Sequence, residues 1–247
     1  GLFSRLLPDE GVAVVNLDDP HGPRVAVVAE ARGQEVIGVG LAEGARLRLL
    51  GQRFDATGQE LRFDWQGRSH LVRLELVGGF QAGNALVAAG LCIGAGDDPQ
   101  AVFDAMTRLT TVRGRMQLAA LRAGGAAVYV DYAHTPDAVA TALKALRPHV
   151  MGRIVAIVGA GGDRDRGKRP LMGAAAAEFA DAVIVTDDNP RSEDPASIRA
   201  AVMQGAAGAA DLSEIGDRAE AILRGADMLQ AGDALIVCGK GHETGQT

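Results

Sequence analysis

AVYVDY (127–132), RIVAIVG (153–159), AVIVTD (182–187) and ALIVC (234–238) are four short apolar runs rich in β-branched residues. Their length and composition predict buried strands. Between them stand helical patterns: TPDAVATALKAL (135–146), LMGAAAAEFA (171–180), PASIRAAVMQGA (195–206) and RAEAILRGADML (218–229). Strands alternating with amphipathic helices at these lengths predict a parallel sheet wrapped by helices on both faces. Ligands in such sheets bind beyond the carboxyl ends of the strands, and the polar clusters of this chain fall there. They are Asp131 to His134, Gly159 to Arg169, Asp187 to Arg191 and Gly239 to Glu243, each following one of the four runs.

Upstream the texture differs. From Val12 to Val77 the apolar residues form shorter runs (VAVVN, RVAVVAE, EVIGVG, LRLL, LRFDW, HLVRLELV) broken by turn signals such as Asp18-Asp19-Pro20 and Gln66-Gly67-Arg68. These predict antiparallel hairpins of a twisted sheet. A helix is expected from about Gln81 to Ile93, and another after Asp98-Pro99, where Asp98 can cap and Pro99 fits the first helical position. The best domain boundary lies between Arg113 and Gln117.

The 247 residues, 47% hydrophobic, suffice for one large or two ordinary globular domains. A net charge of −6 gives no long-range attraction to nucleic acid or to an anionic membrane. The two cysteines, Cys92 and Cys238, sit in apolar surroundings without metal-ligand or redox spacing and are expected in the core, as in a reducing cytoplasm. No apolar segment is long enough to span a bilayer. The opening Gly1-Leu2-Phe3-Ser4-Arg5 has no signal-peptide layout and reads as the last turn of a helix, so the chain is expected to be a fragment.

The loops narrow the chemistry. Gly162 to Arg169 nearly matches the phosphate loop G-x-x-x-x-G-K-[ST], but Arg169 stands where a hydroxyl should hold magnesium. Gly159-Ala160-Gly161, with Asp187 ending the next strand, partly fits a dinucleotide fingerprint, although Arg164 replaces the third glycine. What remains is a loop dense in cations, Arg164, Arg166, Lys168 and Arg169, interleaved with two aspartates. After the next strand, Asn189-Pro190 fixes a turn before Arg191, while Asp194-Pro195 can cap the following helix unaided. Arginine grips a carboxylate through two donors and Asp188 suits an ammonium, so a zwitterion would satisfy both. Glu243 could take an ammonium, and glycines at 239 and 241 allow close backbone approach. No metal-ligand cluster of side chains is evident. A nucleotide- or dinucleotide-binding module is the alternative reading. A purely structural domain would leave four polar loops at one sheet edge unexplained.

DYAHTPD (131–137), GGDRDRGKRPLMG (161–173), TDDNPR (186–191) and GKGHE (239–243), in this order, resemble the C-terminal domain of the diaminopimelate-adding Mur ligases. VNLDDPHG (15–22), GGFQAGNALVAA (78–89) and VRGRMQ (112–117) resemble the second half of that family's central ATPase domain. The resemblance covers the whole chain. It implies an α/β protein in which residues 1–113 form part of a central ATPase domain with antiparallel β hairpins, followed at 114–247 by a Rossmann-like doubly wound C-terminal domain. It implies ATP-dependent peptidoglycan precursor synthesis in the cytoplasm, by a monomer that uses ATP and Mg2+. The small-molecule substrates would be meso-diaminopimelate and UDP-MurNAc-L-Ala-D-Glu, joined through an acyl phosphate. By resemblance, Asn84, Arg115, Asp131 and His134 approach the nucleotide, and Arg164, Asp188, Asn189, Pro190, Arg191, Gly239 and Glu243 hold diaminopimelate. Arg191 carries the most weight, because the distal carboxylate of diaminopimelate is absent from lysine. The family's phosphate loop, modified lysine and UDP-binding domain have no counterpart in these residues, so no catalytic residue is assigned and the chain alone is not expected to turn over.

Overall fold

A computed structural model describes residues 1–241. They form two compact units: residues 1–54 and 58–110 in the first, and 111 onward, grouped with 55–57, in the second. His242 and Glu243, including the expected ammonium contact, lie outside the described residues.

In the first unit a five-stranded sheet runs in sequence order: β1 (Val12–Asn16), β2 (Glu35–Gly40), β3 (Leu47–Asp55), β4 (Gly58–Trp65) and β5 (Arg68–Leu74). The β4/β5 pair is the expected antiparallel hairpin, with Trp65 opposite Arg68. Its two turn residues, Gln66 (φ 52°) and Gly67 (φ 76°), both adopt the left-handed conformation that such tight hairpins require. The expectation of hairpins throughout is corrected at β1–β2–β3, which pair in parallel. RVAVVAE is correspondingly not a strand but most of helix α1 (Gly22–Glu30), the crossover that a parallel pair needs. Three valines disguised it. Pro23 is in its first turn, Gly22, Ala26 and Ala29 are the residues it buries, and Val27 is 62% exposed.

Helices α2 (Phe80–Gly94) and α3 (Pro99–Met106) stand where expected, with the Asp98 carboxylate accepting from the Ala101 amide as N-cap. Ala82, Leu86, Ala89, Phe103 and Met106 pack on Ile37, Leu47, Leu61, Phe63 and Leu74. Phe63 and Phe103 meet edge-on at 5.0 Å. Cys92 departs from expectation: it lies off the buried stripe of α2 and is exposed, whereas Cys238 is buried.

In the second unit the six-stranded order is β10-β9-β8-β11-β7-β6. The strands are β6 (Gln117–Leu121), β7 (Ala127–Asp131), β8 (Ile154–Val158), β9 (Ala182–Val185), β10 (Leu212–Glu214) and β11 (Ala234–Cys238). Neighbours from β10 to β7 pair in parallel, and β6 adds an antiparallel edge. The two edge strands were not read from the sequence, since β6 is mostly exposed without alternation and β10 has three residues. The helices are α4 (Pro136–Leu146), α5 (Lys168–Phe179), α6 (Pro195–Ala206) and α7 (Arg218–Asp227). Helix α5 packs between α4 and α6, while α7 covers the face formed by Val155, Ile157, Ile184 and Leu235. Helices α5 and α6 meet backbone to backbone: a Cβ on Gly173 would come 2.0 Å from the Val202 carbonyl, and one on Gly205 1.7 Å from that of Pro170. Glycine at these positions therefore reflects close approach rather than a linker. Strand order reverses where β11 enters between β8 and β7, and the crevice expected at such a switch point opens there. Among the described residues no helix is long and apolar enough to cross a membrane.

Candidate functional site

A cavity of about 540 Å³, within the range of small-molecule sites, opens at the carboxyl edge of the second sheet. All four loops singled out in the sequence line it. They contribute Tyr132 and His134 after β7, Gly159 to Gly161 with Arg164 and Lys168 after β8, Asp188, Asn189 and Arg191 after β9, and Gly239 after β11.

The β8 and β9 loops interlock. The Gly162 amide donates to the Asn189 carbonyl (2.8 Å), and a Cβ at Gly162 would fall 1.9 Å from the Pro190 oxygen, so only glycine fits. Arg191 has φ 52°, a conformation that costs a non-glycine residue about 1–3 kcal/mol and persists only where its surroundings enforce it. Its Nη1 donates to Gly162 O (2.8 Å) and Asn189 O (3.3 Å). The Nε/Nη2 edge has no hydrogen-bond partner among the described residues, which leaves two parallel donors suited to a carboxylate. Arg164 is exposed and, among the described residues, anchored through Nη1 to the Asp163 carbonyl (3.2 Å).

The Asp188 carboxylate is buried beside these cations, accepting from the Asn189 amide (2.7 Å) and facing Lys240 Nζ at 3.6 Å. Lys240 also reaches Asn189 Oδ1 at 3.3 Å. Gly239 (φ 96°) keeps room beside Asp188, since a Cβ there would approach Asp188 Oδ2 to 2.9 Å. Buried Arg218 donates to the carbonyls of Asp187 and Cys238, tying the ends of β9 and β11 together. Burial pushes the Cys238 thiol up to about 12, with Asp131 adding to the effect, so it is an inert core group.

The other loop cations divide in a way the sequence did not reveal. Arg169 is buried and forms a bidentate pair with Glu193 (2.7 and 3.1 Å), which Arg166 also reaches at 3.1 Å. Two of the four cations therefore serve the loop itself. Their partner is Glu193 rather than the interleaved aspartates: Asp163 accepts from Ser192, and Asp165 from the Gly167 amide. The Arg169 hydrogen bond, then that from the Asp163 amide, hold the Glu193 carboxyl at about 2, against an ordinary 4.5. Hydrogen bonds from the Ser192 hydroxyl and then its amide lower Asp163 as well. Glu193, Asp163 and Ser192 were missed as contributors. The available signal was a surplus of arginines in one loop and a glutamate two residues beyond Arg191.

Around the β7 loop, Asp131 accepts from the amides of Met116 (2.7 Å) and Ala133 (2.8 Å), so its carboxylate organises backbone. His134 Nδ1 donates to the Tyr132 carbonyl (2.9 Å), which leaves Nε2 as the acceptor on an exposed ring. The Arg115 guanidinium lies 4.5 Å above the Tyr132 ring. Asn84 belongs to the first unit, exposed on α2, where its amide donates to Gln81. Asp187, which the dinucleotide alternative needs for a ribose, is paired with Arg199, itself bonded to Glu214 at 2.7 Å. Asp194 caps α6 through the amides of Ala196 and Ser197, as expected. Among the described residues no group of three or more His, Cys, Asp or Glu side chains is placed to hold a metal.

Residues 1–92 match the Mur ligase middle domain and residues 114–241 the Mur ligase, glutamate ligase domain. A UDP-N-acetylmuramoyl-L-alanyl-D-glutamate--2,6-diaminopimelate ligase of Caulobacter vibrioides is 52% identical over 245 residues, covering 99% of this chain and 50% of the relative. The enzyme of the same name from Bradyrhizobium diazoefficiens is 49% identical over 250 residues, with 99% and 50% covered. A solved structure of an enzyme so named superposes with a TM-score of 0.74 at 40% identity, covering 96% of this chain and 49% of that one. MurF ligase from Thermotoga maritima in complex with ADP shares the fold, with a TM-score of 0.64 at 19% identity and 94% and 50% covered. The chain spans about half the length of the curated relatives it matches. With the matched domains in order along it and their polar loops gathered on one cavity, this chain belongs to the Mur ligase family.

Proposed function

We propose that this chain supplies the amino-acid site and part of the nucleotide site of an ATP-dependent ligase that adds meso-diaminopimelate to the D-glutamate of UDP-MurNAc-L-Ala-D-Glu. The observation that carries this reading is the cavity lined together by the exposed Arg164, the buried Asp188 and Arg191, whose Nε/Nη2 edge has no hydrogen-bond partner among the described residues. A ligand with a carboxylate and an ammonium at its distal end matches that set. Arg191 and Arg164 take the carboxylate, Asp188 and Asn189 take the ammonium, Pro190 holds the turn, and Gly239 leaves space; Glu243 joins them in this reading. The relatives named for diaminopimelate support the same substrate.

On the nucleotide side, Arg115 on the Tyr132 ring and His134 with its exposed Nε2 fit contacts to phosphate and ribose, with Asp131 holding their loop, while Asn84 is assigned to the nucleotide by the family resemblance alone. ATP supplies the phosphoryl group that activates the substrate carboxyl, and the incoming amine then displaces phosphate. Mg2+ commonly enters such sites through phosphates and one or two protein oxygens rather than a complete protein cage. The residues here make catalysis a matter of positioning and charge neutralisation. We place the boundary between the partial central domain (1–113) and the C-terminal domain (114–247) at Gly114, a reading supported by the start of the second family match. The same reading puts the protein in the cytoplasm, and its two free cysteines fit a reducing compartment.

Calorimetric titration of the chain with meso-diaminopimelate and with L-lysine, repeated on Arg191→Ala, tests the assignment. Diaminopimelate binding that lysine does not share and that the substitution removes is the expected result. Equal binding of both amino acids would overturn the role of Arg191. Nucleotide competing at Asp188 and Arg191 would favour the binding-module alternative. Incubation of the chain alone with all substrates is expected to yield no amide.

A further inference from the structure

The loops after β8 and β9 are joined by two reciprocal straps. In one, Glu193 accepts from the Asp163 amide (2.7 Å) and grips Arg169 through both oxygens, although Glu193 is only 11% exposed and Arg169 5%. In the other, Asp163 (φ 52°) reaches back to accept from the Ser192 amide (3.2 Å) and hydroxyl (2.7 Å). Arg191 sits between the straps in its left-handed conformation, with Gly162 and Asn189 completing the lattice. A buried ion pair is weak evidence of stabilisation, since desolvation consumes most of its attraction. One that also bonds a loop amide restricts geometry, and here the geometry restricted is that of the arginine facing the cavity.

We infer that Glu193 is a positioning residue for amino-acid recognition: by clamping residues 161–169 to 189–193 it holds the Arg191 backbone left-handed and keeps its Nε/Nη2 edge toward the cavity. Glu193 thereby sets discrimination in favour of a ligand with a distal carboxylate without touching that ligand. The inference rests on the diaminopimelate reading above for the identity of the ligand, and not for the clamp itself. The carboxyl stays ionised well below neutrality because Arg169 and the Asp163 amide favour its charge, so the clamp is closed under physiological conditions.

The test uses the 247-residue chain and its variants Glu193→Gln, Glu193→Asp and Asp163→Asn. Hydrogen exchange reads the clamp, and calorimetry reads meso-diaminopimelate against L-lysine. In Glu193→Gln, exchange is expected to rise in 161–165 and 189–193 while β8, β9 and β11 stay protected. Diaminopimelate affinity should fall about 10- to 100-fold, the range for a misplaced binding group, with lysine affinity unmoved. Glu193→Asp retains the charge and should recover part of the loss. Asp163→Asn alters an exposed side chain in a residue type that tolerates positive φ, gives a smaller loss of the same kind, and serves if Glu193→Gln does not fold. Unchanged exchange in the two loops, or equal losses for both amino acids, would overturn the inference. If the unsubstituted chain takes no diaminopimelate, the functional reading is what fails, and exchange alone decides the clamp.

Discussion

The core of the first unit and the strand edge of the second bury their side chains for different reasons. Around Phe63, Trp65 and Phe103 the buried atoms are apolar and their neighbours are aromatic or aliphatic. Burial there contributes stability in proportion to the area removed from water. At the carboxyl edge of the second sheet the buried groups include Arg169, Asp188 and Arg218, whose removal from water is costly. They are compensated by Glu193, by Lys240 and by backbone carbonyls. The difference teaches that one region holds the chain folded while the other holds a few donors and acceptors at fixed positions.

Substitutions should therefore separate stability from recognition. Phe63→Ala is expected to cost about 3–5 kcal/mol of unfolding free energy, measured by denaturant titration, while diaminopimelate binding to the second unit keeps its affinity under native conditions. A parallel loss of binding in the folded variant would break the distinction. Arg191→Ala should do the reverse: about 2–5 kcal/mol lost in calorimetric binding of diaminopimelate, with the unfolding midpoint unchanged. Asp98→Ala, which removes the N-cap of α3 in the first unit, should cost about 1 kcal/mol of stability and nothing in binding.

The smallest effect at neutral pH sharpens the comparison in acid. The folded value of Glu193 is depressed from 4.5 to about 2, so its contribution is fully present above the ordinary value and is lost as pH falls toward 2. Exchange in 161–165 and 189–193, taken relative to the intrinsic chemical rate at each pH, should be flat from neutrality to about pH 5 and rise below it. Glu193→Gln should lack that rise, because its loops are already loosened. A wild-type profile that stays flat to pH 3 would show that the carboxylate does not hold the loops.

Much of this was legible in one dimension. The four strand runs, the helices between them and the cap at Asp98 are local patterns, and they stand in the structure as read. Helix α1 was misread because its valines carry a strand preference, while the features that decide it, a parallel β1/β2 pair and a face of small residues, lie outside the run. The candidate site divides in the same way. Arg164, Asp188, Asn189, Arg191 and Gly239 are brought to one cavity with Tyr132 and His134, as loops on a single sheet edge should be. Asp131 serves backbone amides at short range, which residue type alone does not disclose.

The sequence by itself determined the alternation of elements, the edge at which the polar loops gather and the family resemblance, because strand length, helical period and motif order are local properties of the chain. Only the tertiary structure decided which of the cations lining the cavity is tied to a carboxylate of the loops and which keeps an edge without a partner among the described residues. Arg169 and Arg191 are chemically alike and both follow strands of one sheet, but Glu193 lies 24 residues from the first and two from the second. It pairs with the distant one, since α5 and the β9 loop fold against each other and leave Arg169 buried beside it. Spacing along the chain does not encode that choice; the distance across the loops does.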